Sequence, residues 1–293
     1  MYESLYNFAV LPFENTPDPR FFYASEQHRE ALAAIEYTIR MRKGIILITG
    51  DIGSGKTTVG RAMLHRCKMQ ATIVQLLHGH DCGKFMLRQI LTNLNINCEP
   101  DAERSVMLEA VHGLLHEYAR RSRPVVLFVD EAQTLSDAAL EELRLLSNFD
   151  TDTQKLLQLV LIGQPELRHR IGLPHFAALR QRIVLSKRLE PLCRKDVAGY
   201  IAHRIEAASR DPQNIGVHFD DASMDEVFNA TNGTPRLINV ICDNALLIAF
   251  VQQSRVVTRE MVSQVIQDMV PTFESSIAIL AQSRPRLSFA GGL

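Results

Sequence analysis

The stretch ITGDIGSGKTTVG, residues 48–60, limits what this chain can fold into more than any other part of it. The residues that match the pattern G-x-x-x-x-G-K-[ST] are Gly50, Gly55, Lys56 and Thr57. The apolar run at 44–50 predicts a buried parallel strand, and residues 57–67 predict the helix that follows it. A strand, a glycine-rich turn and a helix in this order predict a loop whose backbone N–H groups surround phosphates.

We expect the whole loop to bind the phosphates of a nucleotide. Its residues are Gly50, Asp51, Ile52, Gly53, Ser54, Gly55, Lys56, Thr57 and Thr58. Glycine lets the main chain approach a phosphate closely, because it has no side chain in the way. Lys56 should reach the β- and γ-phosphates, and the Thr57 hydroxyl should be a ligand of Mg²⁺. The loop therefore predicts a nucleoside triphosphate that carries Mg²⁺.

A second acidic motif follows the apolar run of VVLFVDEAQ, residues 125–133. A buried strand that ends at Asp130 presents a carboxylate at the edge of the sheet where ligands bind in open α/β folds. Asp130 is therefore predicted to hold Mg²⁺ directly or through water. Glu131 is predicted to orient or deprotonate the attacking water, a role worth about 10²–10⁴ in rate. The alternative is that the two acids only cap the next helix.

Further candidate residues are one glutamine and three arginines. Gln164 follows the predicted strand 156–163, where its amide would lie near the γ-phosphate, although polar residues often end strands. Arg180 and Arg182 precede the last predicted strand, and Arg236 begins a later helix. An arginine supplied across an interface stabilises charge on a transferring phosphoryl group. Ordinary surface arginines are the alternative for all three.

Strands and helical segments alternate through the first two thirds of the chain. The predicted strands are at 44–50, 71–77, 124–130, 156–163 and 182–190, with helical patterns at 25–42, 57–67, 104–120 and 137–147. After Pro191 the pattern becomes helical, at 195–209, 221–231, 235–252 and 258–269, with a brief extended piece at 256–257. The alternation predicts a doubly wound α/β domain with a parallel sheet, followed by a small helical domain. The predicted divisions are an arm at 1–24, an α/β domain at 25–190, a helical lid at 191–270 and a tail at 271–293.

Together these residues resemble the AAA+ ATPase family. GDIGSGKT is similar to its Walker A motif, VVLFVDEA to Walker B and GTPR, which contains Arg236, to sensor 2. Gln164 matches the sensor 1 position, and Arg182 lies where the family carries its arginine finger, with Arg180 as the adjacent candidate. The resemblance implies ATP as the nucleotide and a three-layer αβα core with five parallel strands in the order 5-1-4-3-2. It also implies assembly into a ring or filament, in which Arg182 reaches the next subunit.

Within AAA+, the chain is most similar to the ExeA/GspA-like ATPases of the general secretion pathway. The carrying segments are MYESLYNFAVLPFENTPDPRFFY, LVLIGQPEL, LRQRI and GTPRLIN, so that the resemblance covers roughly residues 1–270. Those proteins typically continue into a membrane span and a peptidoglycan-binding module, which we do not expect in this chain. The resemblance implies an ATP hydrolase that acts on a partner, with a secretion role as one option.

Composition narrows the function classes further. The formal net charge is -1, which gives no overall basic field for nucleic acid. The five cysteines are odd in number and scattered, which favours reduced thiols rather than disulfides or a zinc site. The first residues lack the pattern of a secretory signal, and the longest apolar runs are shorter than a membrane helix. We therefore predict a cytoplasmic protein without an integral membrane segment.

Three alternatives remain open at this point. The first is an ATP-switched, DNA-binding regulator of the TnsC/TniB transposition type, with phosphate contacts from basic clusters at 119–123, 166–170 and 185–188. The second is a small-molecule kinase that shares only the phosphate loop. The third is a metal site elsewhere in the chain, with His78, His80, Asp81 and Cys82 as candidate ligands.

Overall fold

The computed structural model describes residues 1–16, 18–76, 83–99 and 101–269. The predicted tail at 271–293 and the candidate metal ligands at 78–82 lie outside the described residues. The chain forms two compact units. The α/β unit is Thr16–Leu192, and the helical unit combines Met1–Asn15 with the residues from Cys193 onward.

Helices and strands follow the alternation that the sequence predicts. The strands are β1 (Ile45–Gly50), β2 (Thr72–Leu76), β3 (Val125–Val129), β4 (Leu157–Gly163), β5 (Ile183–Leu189), β6 (His218–Phe219) and β7 (Val256–Val257). The helices are α1 (Glu3–Tyr6), α2 (Glu26–Arg40), α3 (Lys56–Cys67), α4 (Gly83–Asn93), α5 (Arg104–Arg120), α6 (Asp137–Leu146), α7 (Pro165–Gly172), α8 (Ala177–Arg180), α9 (Arg194–Ala208), α10 (Asp221–Thr231), α11 (Pro235–Val251) and α12 (259–269).

The α/β unit is built on a five-stranded sheet in which every neighbouring pair is parallel. The strand order is β2-β3-β4-β1-β5, which is the predicted order 5-1-4-3-2 read from the other edge. The predicted α/β fold class is therefore confirmed. Because β1 lies between β4 and β5, its loop has a strand end on each side.

Continuous apolar strands allow helices to cover both faces of this sheet. Alternate residues of β1, β3 and β4 face α2 and α3 on one side, with Val59 and Met63 fully buried there. The other alternate residues face the helices α4 to α8. The edge strand β5 alternates between half-buried and exposed residues up to Leu189, as expected for a strand with one open side.

Register places the strand ends at two opposite edges of the sheet. Thr49 pairs with Gly163 and with Arg188 near the carboxyl ends of their strands. Ile45 pairs with Ile183 at the amino end. A strand rises about 3.3 Å per residue, so the six residues of β1 hold the two edges roughly 17 Å apart.

The helical unit is assembled from both ends of the described chain. Four aromatic side chains of the first fifteen residues are buried: Tyr2, Tyr6, Phe8 and Phe13. The Tyr6 hydroxyl donates to the Ser254 carbonyl at 2.9 Å, and the Ala9 N–H donates to the Ala208 carbonyl at 2.7 Å. The N-terminal residues are thus part of the packing of this unit.

A buried arginine fixes the same residues by hydrogen bonds. Arg204 of α9 donates to the carbonyls of Pro12 and Glu14 and to the Tyr200 hydroxyl, at 2.5, 2.8 and 2.9 Å. The Tyr200 hydroxyl in turn donates to Asn239 of α11 at 2.7 Å. Arg204 thus gives a partner to the buried Pro12 carbonyl and binds a second carbonyl at the exposed residue Glu14.

Some helices lie where none was predicted. They are α1, α4, α7 and α8. Ser25 caps α2 by accepting a hydrogen bond from the His28 N–H. Within the described residues, no helix combines the length and apolarity needed to cross a bilayer.

Candidate nucleotide site

The loop between β1 and α3 has the conformation of a phosphate-binding turn. Gly53 and Gly55 have φ angles of 80° and 88°, a region that favours glycine. Gly55 is the N-cap of α3, and it supplies no side chain to the first N–H groups of that helix. Those N–H groups have no partner within the helix, and the helix dipole makes this end positive. The turn can therefore accept an anion.

Lys56 is the cation of this turn. Its side chain is only 6% exposed, and its Nζ donates to the Asp51 carbonyl at 2.9 Å. Burial lowers the pKa of Lys56, while the charges of Glu131 and Asp130 act in the opposite direction. A buried ammonium has three N–H donors, so the bond to Asp51 leaves capacity for further acceptors.

The remaining loop residues complete the turn. Gly50 ends β1 and is buried, and a Cβ atom at that position would lie 2.6 Å from the Ser54 Oγ. The Ser54 hydroxyl is buried and has no hydrogen-bond partner among the described residues. The Ile52 side chain is 54% exposed, and Thr58 is half-buried in the first turn of α3.

Asp130 and Thr57 meet at the carboxyl edge of the sheet. Asp130 follows the last residue of β3, and its carboxylate accepts a hydrogen bond from the Thr57 hydroxyl. Burial raises the pKa of Asp130, while the hydrogen bonds from the Glu131 N–H and Thr57 and the charge of Lys56 oppose this rise. Two hard oxygen ligands lie side by side here, which suits Mg²⁺.

Glu131 has an unusual backbone and a fixed side chain. Its φ angle is 51°, in the left-handed region, and a short turn at Ala132–Thr134 follows it. Its N–H donates to the Asp130 Oδ1 at 2.9 Å. Its Oε2 accepts a hydrogen bond from the Gln133 Nε2 at 2.5 Å. The exposed carboxylate is therefore held near Asp130 and Lys56.

Gln164 lies directly after β4, at the same edge as the loop. It is the N-cap of α7, and its N–H donates to the Gln133 Oε1 at 3.0 Å. Since β4 pairs with β1, Gln164 follows the strand next to the loop strand. The predicted neighbour relation between these two strands is confirmed.

Arg180 and Arg182 lie at the other edge of the sheet. Arg180 is exposed, and its guanidinium donates to the Gly172 carbonyl at 2.7 Å. Arg182 is half-buried and donates to the Asn148 Oδ1 at 2.8 Å and to the Ala178 carbonyl at 2.9 Å. Arg182 directly precedes β5, whose amino end lies opposite the loop edge.

Arg236 belongs to the helical unit. It is exposed at the second position of α11, after Pro235 at the first. Thr234 and Pro235 start this helix as the sequence GTPR predicts, because proline fits the first helical turn.

Sequence reasoning missed three residues around the loop. Arg188 of β5 forms an ion pair with Asp51, with its Nη2 3.5 Å from the Oδ2. The His28 ring lies under the loop, with its Nε2 3.4 Å from the position of a Cβ on Gly55. Gln133 joins Glu131 to Gln164. The sequence offered a signal only for Gln133, which directly follows the acidic pair.

A small cavity lies along α3 beside the loop. It encloses about 150 Å³. Its lining residues are Pro19, Phe22, Thr58, Arg61, Ala62, His65 and Arg66. Because Thr58 belongs both to the loop and to this cavity, a ligand bound by the loop has a mixed apolar and polar surface within reach.

The basic clusters that motivated the DNA alternative are partly paired within the α/β unit. Arg123 donates to Thr72 at 2.9 Å, and Lys187 contacts Glu30 at 2.9 Å. Arg170 donates to the Gln133 carbonyl. DNA binding stays a prediction. The described residues contain no group of three or more potential metal ligands from His, Cys, Asp and Glu.

Comparison with known families identifies the domain that contains this loop. Residues 39–171 match the family model described as AAA domain. The chain carries an AAA domain. This region spans β1 to α7, and so it contains the phosphate loop, the acidic pair and Gln164.

A known protein matches this chain over a longer stretch than the AAA domain model does. General secretion pathway protein A of Aeromonas hydrophila is 37% identical over 255 residues, which is 87% of this chain and 46% of that protein. The chain thus spans about half the length of this relative. The predicted resemblance to AAA+ and GspA-like proteins is confirmed at the level of sequence similarity.

Solved structures show the same fold at low identity. The Aeropyrum pernix ORC2 protein, described in ADPNP-ADP complexes, is 14% identical with a TM-score of 0.62, over 89% of this chain and 72% of that one. The RuvB Holliday junction branch migration motor of Thermotoga maritima is 19% identical with a TM-score of 0.53, over 84% and 69%. These likenesses support the fold of the AAA domain.

Proposed function

We propose that this chain binds Mg-ATP and hydrolyses it to ADP and phosphate. One observation carries the proposal: the uncapped turn with buried Lys56 and the acidic pair Asp130 and Glu131 meet at one edge of the sheet. AAA domains are typically ATPases, and this edge is where ligands bind in open α/β folds. The charged neighbours of Lys56 include Asp130 and Glu131, the two acids that we assign to Mg²⁺ and to the attacking water.

The residues present fit a triphosphate with its metal. The loop N–H groups and Lys56 would hold the phosphate oxygens, and the partnerless Ser54 hydroxyl is a further donor. Thr57 and Asp130 would hold Mg²⁺, which neutralises charge on the phosphates when bound. Glu131 would orient the attacking water and accept its proton.

The cavity along α3 is the proposed place of the nucleoside. It is continuous with the loop through Thr58 and has the aromatic ring of Phe22 on its wall. Pockets that bind flat organic ligands are lined mostly by apolar and aromatic side chains with a few polar groups. The lining of this cavity would therefore suit an adenine ring. Nucleotide binding would thereby involve residues that precede α2.

Self-association is the second part of the proposal, because Arg182 cannot serve the site of its own chain. It lies at the amino edge of the sheet, roughly 17 Å of strand away from the loop. In a ring or filament the amino edge of one subunit would face the loop of the next, and Arg182 would stabilise the charge of the transferring group. Arg180, Gln164 and Arg236 are proposed as further contacts to the γ-phosphate.

Action on a partner completes the proposal. The curated relative is named as a general secretion pathway protein, so we propose a secretion-related partner protein. The cytoplasm is the proposed compartment, since ATP is available there and the four free cysteines of the described residues would stay reduced.

A turnover measurement with one substitution tests the hydrolase. Glu131→Gln should lower ATP turnover by about 10²–10³-fold and leave ATP binding intact, because the amide keeps the shape and loses the base. Glu109→Gln, at an exposed acid of α5, is the matched control. Equal turnover of Glu131→Gln and wild type would remove Glu131 from the chemistry. A wild type without turnover at any protein concentration would contradict the hydrolase.

A further inference from the structure

The side chain of Gln133 contacts two residues of the proposed catalytic region, Glu131 and Gln164. Its side-chain Nε2 donates to the Glu131 carboxylate at 2.5 Å, and its Oε1 accepts from the Gln164 N–H at 3.0 Å. One amide group therefore bridges the ends of β3 and β4. The side-chain amide of glutamine can do this because its NH₂ group donates and its carbonyl oxygen accepts within one planar group.

The backbone of Gln133 is fixed as well. Its carbonyl accepts from the Arg170 Nη1 at 2.8 Å, and the Nη2 of the same guanidinium donates to Asp137 at 2.5 Å. Arg170 belongs to α7, and Asp137 begins α6. The guanidinium of Arg170 thus connects the turn that carries Gln133 to α6 and α7, which restricts the position of the Gln133 amide.

Gly163 leaves the space that this amide occupies. A Cβ atom at Gly163 would lie 2.9 Å from the Gln133 Oε1 and 3.3 Å from the Gln133 N. These distances are shorter than ordinary van der Waals contacts, and the same Cβ would lie 2.9 Å from the Leu167 Cδ2, so alanine at this position would have to displace both the amide and the Leu167 side chain. The last residue of β4 therefore fits the side chain of Gln133.

Glu131 needs such support. It is exposed, and a glutamate side chain free in water samples many rotamers. Its positive φ angle directs the side chain from a backbone conformation that few residues adopt. The hydrogen bond from Gln133 occupies Oε2 and leaves Oε1 as the acceptor for a water molecule.

We propose that Gln133 is a positioning residue, which holds Glu131 in its working orientation and ties that orientation to the β4 end at Gln164. This inference rests on the proposed ATP hydrolysis. Gln133 acts through Glu131, and it makes the placement of the base depend on the same strand end that carries Gln164.

Three variants separate the two bonds. Gln133→Met removes both of them, whereas Gln133→Glu keeps an acceptor for the Gln164 N–H and places a second carboxylate against Glu131. Gly163→Ala leaves Gln133 in the chain and crowds its amide. The matched controls are Gln70→Met and Gln70→Glu, at an exposed turn of the same unit.

The test uses the full chain with Mg²⁺ and ATP, and measures kcat, the Kd for a slowly hydrolysed ATP analogue and Tm. All three variants should lose about 10–100-fold in kcat with Kd within about threefold of wild type, because a mispositioned base affects the chemical step. The Gln70 controls should match wild type. Unchanged kcat in both Gln133 variants overturns the proposal, and so does a parallel loss of kcat and binding or a rise in kcat.

Hydrogen exchange provides a readout besides activity. The Gln164 amide should exchange faster in Gln133→Met and at the wild-type rate in Gln133→Glu, since only the first loses the acceptor. An unchanged rate in Gln133→Met overturns the bridge even if the wild type proves inactive. Absent wild-type turnover with fast exchange in that variant contradicts the hydrolase and supports the bridge.

Discussion

Among the residues that the structure describes, each unit buries one lysine or arginine, and the two differ in the groups that surround them. Lys56 of the α/β unit is 6% exposed, and Arg204 of the helical unit is 5% exposed. Arg204 donates to two carbonyls and a hydroxyl, while Lys56 donates to the carbonyl of Asp51. Burial alone thus does not distinguish a functional cation from a structural one. What distinguishes Lys56 is the pair of carboxylates beside it, Asp130 and Glu131, whereas the three acceptors named for Arg204 are neutral.

Arg182 gives the strongest test of this comparison. Its hydrogen-bond acceptors are neutral, like those of Arg204, and yet we propose a function for it. Arg182→Ala should lower kcat by about a thousandfold, because trans arginines are worth about 10³–10⁵. Arg121→Ala, at an exposed arginine of the same unit, is the control. An equal mixture of Arg182→Ala and Glu131→Gln subunits should regain about a quarter of the wild-type rate if the two kinds of subunit assemble at random. About a quarter of the sites then combine an intact Glu131 with an intact Arg182 from the neighbouring subunit. A mixture as inactive as its components would assign Arg182 a structural role like that of Arg204.

Substitution of Lys56 tests the other half of the comparison. Lys56→Met should weaken ATP binding by about 100-fold, since hydrogen bonds to charged groups contribute about 1.5–3 kcal/mol each. The unfolding free energy without nucleotide should not fall, because the substitution removes a desolvated charge. Calorimetric titration and denaturant unfolding measure the two quantities, with Lys68→Met as the exposed control. A large loss of stability would make Lys56 a structural cation.

Arg204 should respond in the opposite way. Arg204→Met would leave the buried Pro12 carbonyl without its donor and would remove the bond to the Glu14 carbonyl, at a cost of about 2 kcal/mol in unfolding free energy. Arg255→Met, at an exposed position of the same unit, should cost far less. Thermal unfolding of the two variants measures the difference. Equal stability of both variants would show that the cluster around Arg204 contributes little.

The acid beside Lys56 gives the smallest predicted effect. Because burial raises the pKa of Asp130, its carboxylate is protonated at a higher pH than an ordinary aspartate with a pKa of about 3.9. Protonation removes a Mg²⁺ ligand, so the Mg²⁺-dependent part of ATP affinity should fall on acidification earlier than that value implies. Titrations at several pH values measure this, and Asp130→Asn should remove the dependence. A flat profile in the wild type would contradict the role of Asp130.

Sequence patterns sufficed for the parts of this molecule that depend on local order. The loop at 48–60 and the buried strand before Asp130 are contiguous, so their residues can be read in one window. The Ser25 cap and the Pro235 helix start are local in the same sense. The four-residue spacing of Leu87 and Leu91, both buried in α4, is also typical of an amphipathic helix.

Contacts between distant segments were beyond such patterns. Arg188 was assigned to a basic cluster for DNA, but the register of β5 against β1 brings it to Asp51 of the loop. The bond from Gln133 to Gln164 depends on two strand ends that the sheet brings together. Nothing local in the sequence determines which side chains share an edge, because that depends on strand register.

The helical unit depends on chain segments that are synthesised at different times. Met1–Asn15 leaves the ribosome before Cys193, where the rest of this unit begins, and the two are roughly 180 residues apart. At about 5–20 residues per second, the aromatic side chains of Tyr2, Tyr6 and Phe8 wait on the order of 10–40 s for their packing partners. During that interval these apolar side chains have no partners from the rest of the helical unit, so the packing of this unit is complete only after Cys193 and the residues beyond it have emerged.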